Sequence, residues 1–294
     1  MYIHTWQALG TNWKLTLWDE LSVVTASLLA SNAEALTHEF DALYSRFKPN
    51  SLVTKLATTI GTIGVPPELV AMLRHYEKLY EVTDGKINPT IGFALEDTGY
   101  DANYSLVEQS VLRPVHALPE ALTIIDDTQV MFFESVLLDL GALGKGYLID
   151  MVYKQLREAG VERFLIDGSG DIRYYSESKE PIVCGLEDPR DTKQVIGTLT
   201  ITEGSLCASA TNRRHWGNHR HHYLDPHTNK SPRTVLATWV YAPEAAIADG
   251  LASALFFVSP ESLVDFYFEY LVVNHEMRIK KSAGFAADFF VESV

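Results

Sequence analysis

Asp249 and Ser253 stand in PEAAIADGLASALFFV, Pro243 to Val258, a stretch apolar around nearly the whole circumference of a helix. Asp249 is the only charged side chain from Ala245 to Val258. A carboxylate buried there is costly unless it is paired or holds a metal. The spacing puts the Ser253 hydroxyl one turn along the same face, and carboxylate plus hydroxyl suits magnesium rather than zinc. The alternative is an aspartate at an exposed helix edge, or one bonded to nearby backbone.

A second stretch, VLLDLGALGKGYLID from Val136 to Asp150, reads as a strand, a tight loop and a helix. Gly141 and Gly144 remove Cβ atoms that would keep a ligand from the backbone, and Gly146 sits where the new helix exposes N–H groups suited to a phosphate. Lys145 adds a positive charge, and the loop carbonyls can reach a cation without any side chain. The pattern is neither the dinucleotide fingerprint nor the Walker loop, so a plain strand-to-helix connection stays open.

From Thr211 to Thr228, TNRRHWGNHRHHYLDPHT holds five histidines: His215, His219, His221, His222 and His227. Zinc is one reading, but neither a cysteine pair nor a His-Glu-x-x-His frame accompanies them, and a solvated strand and loop is the simpler one. Asp225-Pro226-His227-Thr228-Asn229 is a turn, and a histidine ending the strand before it could act as a general base near neutral pH.

The elements that position these residues fall into two groups. A long amphipathic helix carries Leu29, Ala33, Leu36, Phe40, Leu43 and Phe47 and ends near Lys48-Pro49. A second opens at Pro66 or Pro67 and stops at Thr83-Asp84-Gly85. One strand is expected at Asn12 to Trp18, and residues 94 to 120 read as irregular. Further strands are expected at 122–125, 130–133, 136–140, 164–167, 182–186, 195–201 and 236–241, with a last near 285–291. Helices are expected from Pro243 to Val258 and from Glu261 to about Tyr270. Short connections make most neighbouring strands antiparallel. The expectation is an α+β fold, one compact domain over residues 1–294, with a mainly antiparallel or mixed sheet packed with helices.

Composition narrows the partners. The 294 residues are 47% hydrophobic and 21% charged, those of a folded soluble chain with a sizeable core. Twenty-four basic against thirty-eight acidic residues give a net charge of −14, with no long basic run, which argues against DNA or RNA. An anionic protein that binds a pyrophosphate needs local help from a cation, and a divalent metal supplies it. Cys184 and Cys207 form no CxxC pair and read as small buried residues. Neither a signal-like N-terminus nor a membrane segment stands out, so the expected location is cytoplasmic.

Several segments resemble the FAD:protein FMN transferases, the ApbE family, in family order. Asp139-Leu-Gly141 through Lys145-Gly-Tyr147 resembles D-L-G-x-x-x-K-G-Y, His222-Tyr-Leu-Asp225-Pro226-His-Thr228-Asn229 resembles H-x-x-D-P-x-T-G, and Ala248-Asp249-Gly-Leu-Ala-Ser253 resembles A-D-x-x-x-T. Leu9-Gly10-Thr11 is similar to M-G-T, Phe47-Lys-Pro-Asn-Ser51 to aromatic-x-P-D-S, and Asp84-Gly85 through Gly92 to D-G-A-F-D-x-T-V-G. Gly168-Ser-Gly170-Asp171 and Ala208-Ser209 resemble the family's G-G-D and A-T-S turns.

The resemblance implies an enzyme that takes FAD and Mg²⁺ and passes the FMN phosphoryl group to a threonine or serine hydroxyl of a client flavoprotein, releasing AMP. It implies FAD contacts at Leu9, Phe47, Lys86, Ile87, Asn88, Asp139, Lys145 and Leu224. Mg²⁺ would be held by the Ala142 carbonyl, Asp249 and Ser253, and His222 matches the proposed catalytic histidine. Hydrolysis of FAD to FMN and AMP, and non-catalytic FAD binding, are the alternatives. The chain departs from the pattern at Ser253 for threonine, Ala252 for an acidic or hydroxyl residue, Asn88 for aspartate and Asn229 for glycine. The lipidated cysteine of exported family members has no counterpart near the start.

Overall fold

The computed structural model describes residues 1–212, 215–216 and 220–290. Its first two strands, β1 (Tyr2–Ala8) and β2 (Thr11–Leu17), form a hairpin turned at Leu9 and Gly10, whose φ angles are 52° and 69°. The long helix α1 (Val23–Tyr44) starts at Ser22, whose side chain accepts from the Thr25 N–H, and stops at Ser45, short of Pro49. Next come α2 (Leu52–Leu56), β3 (Gly61–Gly64) and α3 (Pro67–Val82), which opens on its proline as expected. The stretch expected to be irregular holds two short helices, α4 (Gly92–Asp97) and α5 (Leu118–Ala121). Strands β4 (Leu122–Ile124) and β5 (Gln129–Phe132) then pair with β3 in a small sheet.

After α6 (Gly144–Glu158) come β6 (Arg163–Asp167), β7 (Ile172–Ser176), β8 (Ile182–Asp188), β9 (Asp191–Ile201) and β10 (Gly204–Ala210). A two-residue ribbon, β11 (His215–Trp216) with β12 (Arg220–His221), precedes β13 (Val235–Ala242) and helix α7 (Ala245–Ala254). The chain closes on β14 (Glu269–Asn274), β15 (Ile279–Lys281) and β16 (Ala287–Phe289).

Two expected elements are absent. Residues 136–138 and 140 are buried, but the segment joins no ladder. It bonds instead to the short 3-10 turn Pro89–Ile91 and its successor, through Asp139 N to Pro89 O at 2.8 Å and Gly92 N to Leu137 O at 3.0 Å. The helix expected from Glu261 to Tyr270 is a 3-10 turn, Pro260–Leu263, followed by β14. A short apolar run fits either period, and here an open sheet edge beside β13 supplied the partner.

Among the described residues, eight strands form the main sheet in the order β1-β2-β6-β7-β10-β13-β14-β15, every neighbouring pair antiparallel. Both its faces are buried, and β13 records this. Val240 and Ala242 enter the core shared with α1, α3, α6 and α7, while Ala237 and Trp239 enter a second core closed by the sheet β16-β9-β8. The strand therefore reads as a near-continuous apolar run instead of an alternating one. Among the described residues, no helix is long and apolar enough to cross a membrane.

Register gathers the loops. Lys14 pairs with Asp167 across β2 and β6, so the turn at Gly168 to Asp171 lies at the same sheet end as the Leu9-Gly10 hairpin. Leu206 pairs with Ile172, and the Asp171 carboxylate accepts from the Ala208 N–H at 2.9 Å, which brings the end of β10 there too.

Candidate active site

Two helices meet at this end. The Asp150 carboxylate, on α6, accepts from the N–H groups of Ala245 and Ala246 at 2.9 Å each, capping α7 from outside, and is itself paired with Arg173. One turn into α7, Asp249 Oδ2 accepts from the Gly146 N–H at 2.9 Å. The N–H expected to face a phosphate is thus already bonded to a carboxylate. A Cβ at Gly146 would lie 2.2 Å from the Ala245 carbonyl oxygen and 2.8 Å from Asp249 Cβ. Gly146 therefore lets the helices touch; it does not clear room for a ligand. A Cβ at Gly144 would find only ordinary contacts, the nearest at 3.5 Å, so space does not require glycine there. Gly146→Ala is expected to cost about 1–3 kcal/mol or more through overpacking against backbone. Thermal unfolding checks this, and an unchanged midpoint would show that the helices separate without strain.

Asp249 is 5% exposed and Ser253 2%. The Ser253 hydroxyl donates to the Ala142 carbonyl at 3.3 Å, so the three oxygens that sequence assigned to a metal come from one helix face and the loop packed against it. Burial raises the Asp249 carboxyl well above its ordinary value, the Asp171 carboxylate raises it further, and Lys145 and the Gly146 N–H oppose. Lys145 pairs with Asp171 at 2.5 Å and donates to the Gly168 carbonyl at 3.1 Å. Burial works against its charge, but the Asp171 and Asp249 carboxylates outweigh this and hold the ammonium above its ordinary value.

Two buried carboxylates thus share one ammonium. A divalent cation among the Asp249, Ser253 and Ala142 oxygens would relieve that imbalance, so the donor set fits Mg²⁺. Among the described residues no three His, Cys, Asp or Glu side chains gather at one point, as a zinc site would require.

Tyr223, which sequence reasoning passed over, is a neighbour of this cluster. Its hydroxyl hydrogen-bonds with the Ser209 and Ser253 side chains and its ring stacks on Phe256 at 4.3 Å; burial holds the phenol above its ordinary value, and the two hydrogen bonds oppose this. His222, the expected general base, packs on that ring at 4.1 Å and so is linked to Ser253 through Tyr223. His221 is structural. Its Nδ1 accepts from the Tyr223 N–H at 3.3 Å, so Nε2 carries the proton and donates to the Pro232 carbonyl at 2.7 Å, while burial lowers its affinity for a second proton. His227 is exposed, and His219 lies outside the described residues.

The expected FAD residues divide. Asp139 accepts from Gly141 N–H at 2.8 Å and from Arg46 Nε at 2.5 Å. Phe47 and Leu224 share a small apolar cluster with Ile91, Leu95, Tyr100 and Trp216. Lys86 reaches the Phe257 carbonyl at 3.4 Å, next to the Phe256 that carries Tyr223. Leu9 sits at the β1-β2 turn. Ile87 is buried in the main core, and the Asn88 amide is taken up internally, donating to the His116 carbonyl at 2.9 Å and accepting from Thr90. Asp171 and Arg46 were missed as site residues. Asp171 was legible only as the end of a glycine turn, and Arg46 as the neighbour of Phe47.

The model of the ApbE family matches residues 9–271. An FAD:protein FMN transferase of Treponema pallidum is 24% identical over 315 residues, spanning 94% of this chain and 85% of that protein. One of Klebsiella pneumoniae is 37% identical over 210 residues, 67% of this chain and 65% of that protein. Among solved structures, the ApbE protein of Thermotoga maritima superposes with a TM-score of 0.87 at 24% identity, covering 97% of each chain. The flavin transferase ApbE of Vibrio cholerae gives 0.79 at 17% identity, also covering 97% of each.

Proposed function

This chain belongs to the ApbE family, and from that premise we propose that it is an FAD:protein FMN transferase, acting as one domain over residues 1–294. In this reading the oxygen of a threonine or serine hydroxyl on a client flavoprotein attacks the FMN-side phosphorus of FAD. The bond from that phosphorus to the bridging oxygen breaks, AMP leaves with that oxygen, and a phosphoester joins FMN to the client. The observation that carries the reading is the buried oxygen cluster of Asp249, Ser253 and Ala142, set beside Lys145 and short of positive charge.

The residues have separable tasks. An ammonium has three N–H groups, and Lys145 uses two on Asp171 and Gly168, leaving one for the pyrophosphate. His222, beside Tyr223, takes the proton of the attacking hydroxyl. Ala142, Asp249 and Ser253 would hold Mg²⁺, which when bound neutralises charge on the pyrophosphate. Catalysis in this scheme is positioning and electrostatics.

The test is chromatographic: FAD and Mg²⁺ are incubated with the protein, with and without a cell extract supplying clients, and AMP and newly fluorescent protein bands are followed. AMP with labelled protein supports the transfer. AMP and FMN without a client make water the acceptor, and retained FAD with no AMP in the presence of a competent client makes the chain a binder. Ser253→Thr is expected to preserve or raise turnover, because it keeps the oxygen and adds a methyl that stiffens χ1. A fall in turnover would show that the Ala142 and Tyr223 contacts of Ser253 leave no room for that methyl.

A further inference from the structure

Arg46 is a buried cation with one arm unused. Its side chain is 2% exposed; Nε donates to Asp139 at 2.5 Å and Nη1 to the Tyr100 carbonyl at 2.8 Å. Among the described residues, Nη2 is buried and has no hydrogen-bond partner. Leaving a buried donor unmet is costly, and the native group normally finds an acceptor. Asp139 already neutralises the charge, so what Nη2 lacks is a hydrogen-bond acceptor and not an anion.

The surroundings say what kind of acceptor. The guanidinium carbon lies 4.2 Å from the Phe47 ring centroid and 4.8 Å from that of Tyr100. Tyr104 lies flat on Phe47, at 5.4 Å and 14°, although half of it is exposed and its backbone is left-handed at φ 48°, as is that of Leu106 at φ 54°. Left-handed non-glycine residues are disfavoured and persist only when something holds them. Phe47 thus carries the guanidinium over its ring and, stacked on it, a half-exposed tyrosine from a strained segment.

We propose that Arg46 is a specificity-determining residue of the dinucleotide site. Its Nη2 donates to the acceptor edge of a planar heterocycle, adenine or isoalloxazine, that takes the place of Tyr104 on Phe47. The inference rests on the FMN transferase reading and deepens it. Arginine suits the task because its fork is rigid, with two donors already fixed by Asp139 and Tyr100; lysine keeps the charge and loses the geometry.

The experiment titrates FAD, FMN and ADP, each with Mg²⁺, into wild type, Arg46→Lys and Tyr104→Ala, with thermal unfolding as the folding control. Arg46→Lys is expected to weaken FAD about tenfold, the loss of one hydrogen bond to a charged donor. Only one half-ligand should weaken with it: FMN if the ring is isoalloxazine, ADP if it is adenine. Tyr104→Ala, at a half-exposed position, should tighten FAD by removing the competing cover. Unchanged affinities in Arg46→Lys, equal loss of FMN and ADP, or weaker FAD binding in Tyr104→Ala would overturn the proposal. Wild type that binds none of the three would instead sink the FMN transferase reading, and this inference with it.

Discussion

Asp249→Ala is expected to abolish magnesium-dependent turnover and to make FAD affinity the same with and without Mg²⁺. The carboxyl is buried against Gly146 N–H, beside Asp171, with Lys145 already paired to that second carboxylate. Deleting it removes the only anionic oxygen of the proposed metal set and leaves a hydroxyl and a carbonyl, too little charge to hold a divalent ion. Calorimetric titration of FAD into metal-free protein measures this directly. A variant in which Mg²⁺ still tightened FAD would place the metal elsewhere.

The same carboxyl gives a pH signature. Its ionisation is raised in the fold above the ordinary 3.8, so the folded state holds the proton more tightly than the unfolded chain does. That contribution to stability is complete below 3.8 and is lost as pH rises through the higher folded value. Metal-free wild type should therefore lose stability with rising pH across that window, and Asp249→Asn should flatten the slope. Mg²⁺ competes with the proton, so its affinity should rise over the same range. An identical pH profile in Asp249→Asn would show that another group titrates.

His222→Ala is expected to lower transfer by about 10²- to 10⁴-fold, the usual contribution of a positioned base, while FAD binding persists. The structure adds a reason to separate the two effects. His222 packs on Tyr223, whose hydroxyl meets Ser253, so the observed link from the imidazole to the oxygen cluster runs through a second side chain. Label incorporation into a client and FAD titration together test this. Full transfer in the variant would remove His222 from proton transfer; lost FAD binding would make its role one of holding the site together.

The candidate site was legible in the sequence to the extent that its chemistry needed rare residue types in unusual company. Asp249 stood out because a lone carboxylate in an apolar helix demands a reason, and α7 is buried as that pattern required. Ala142 could be assigned only through the resemblance, because a backbone carbonyl has no sequence signature. Asp171, Arg46 and Tyr223 stayed hidden, since each acts through a partner 30 or more residues away: Ala208, Asp139 and Ser253. Chain order is silent about such pairs.

What the sequence determined by itself was local. Proline and glycine set the ends of α3, a serine cap set the start of α1, apolar periodicity set α1 and α3, and short connections made the sheet antiparallel. What only the tertiary structure decided was which backbone and which charge each local element would meet. Residues 136–140 look like a strand but bond to a turn, Glu269–Asn274 became a strand beside β13, and Gly146 serves the contact of two helices instead of a ligand. The physical reason is that backbone pairing, close approach and the electrostatics of a buried carboxylate depend on neighbours in space, and those neighbours exist only once α6, α7 and the sheet have packed.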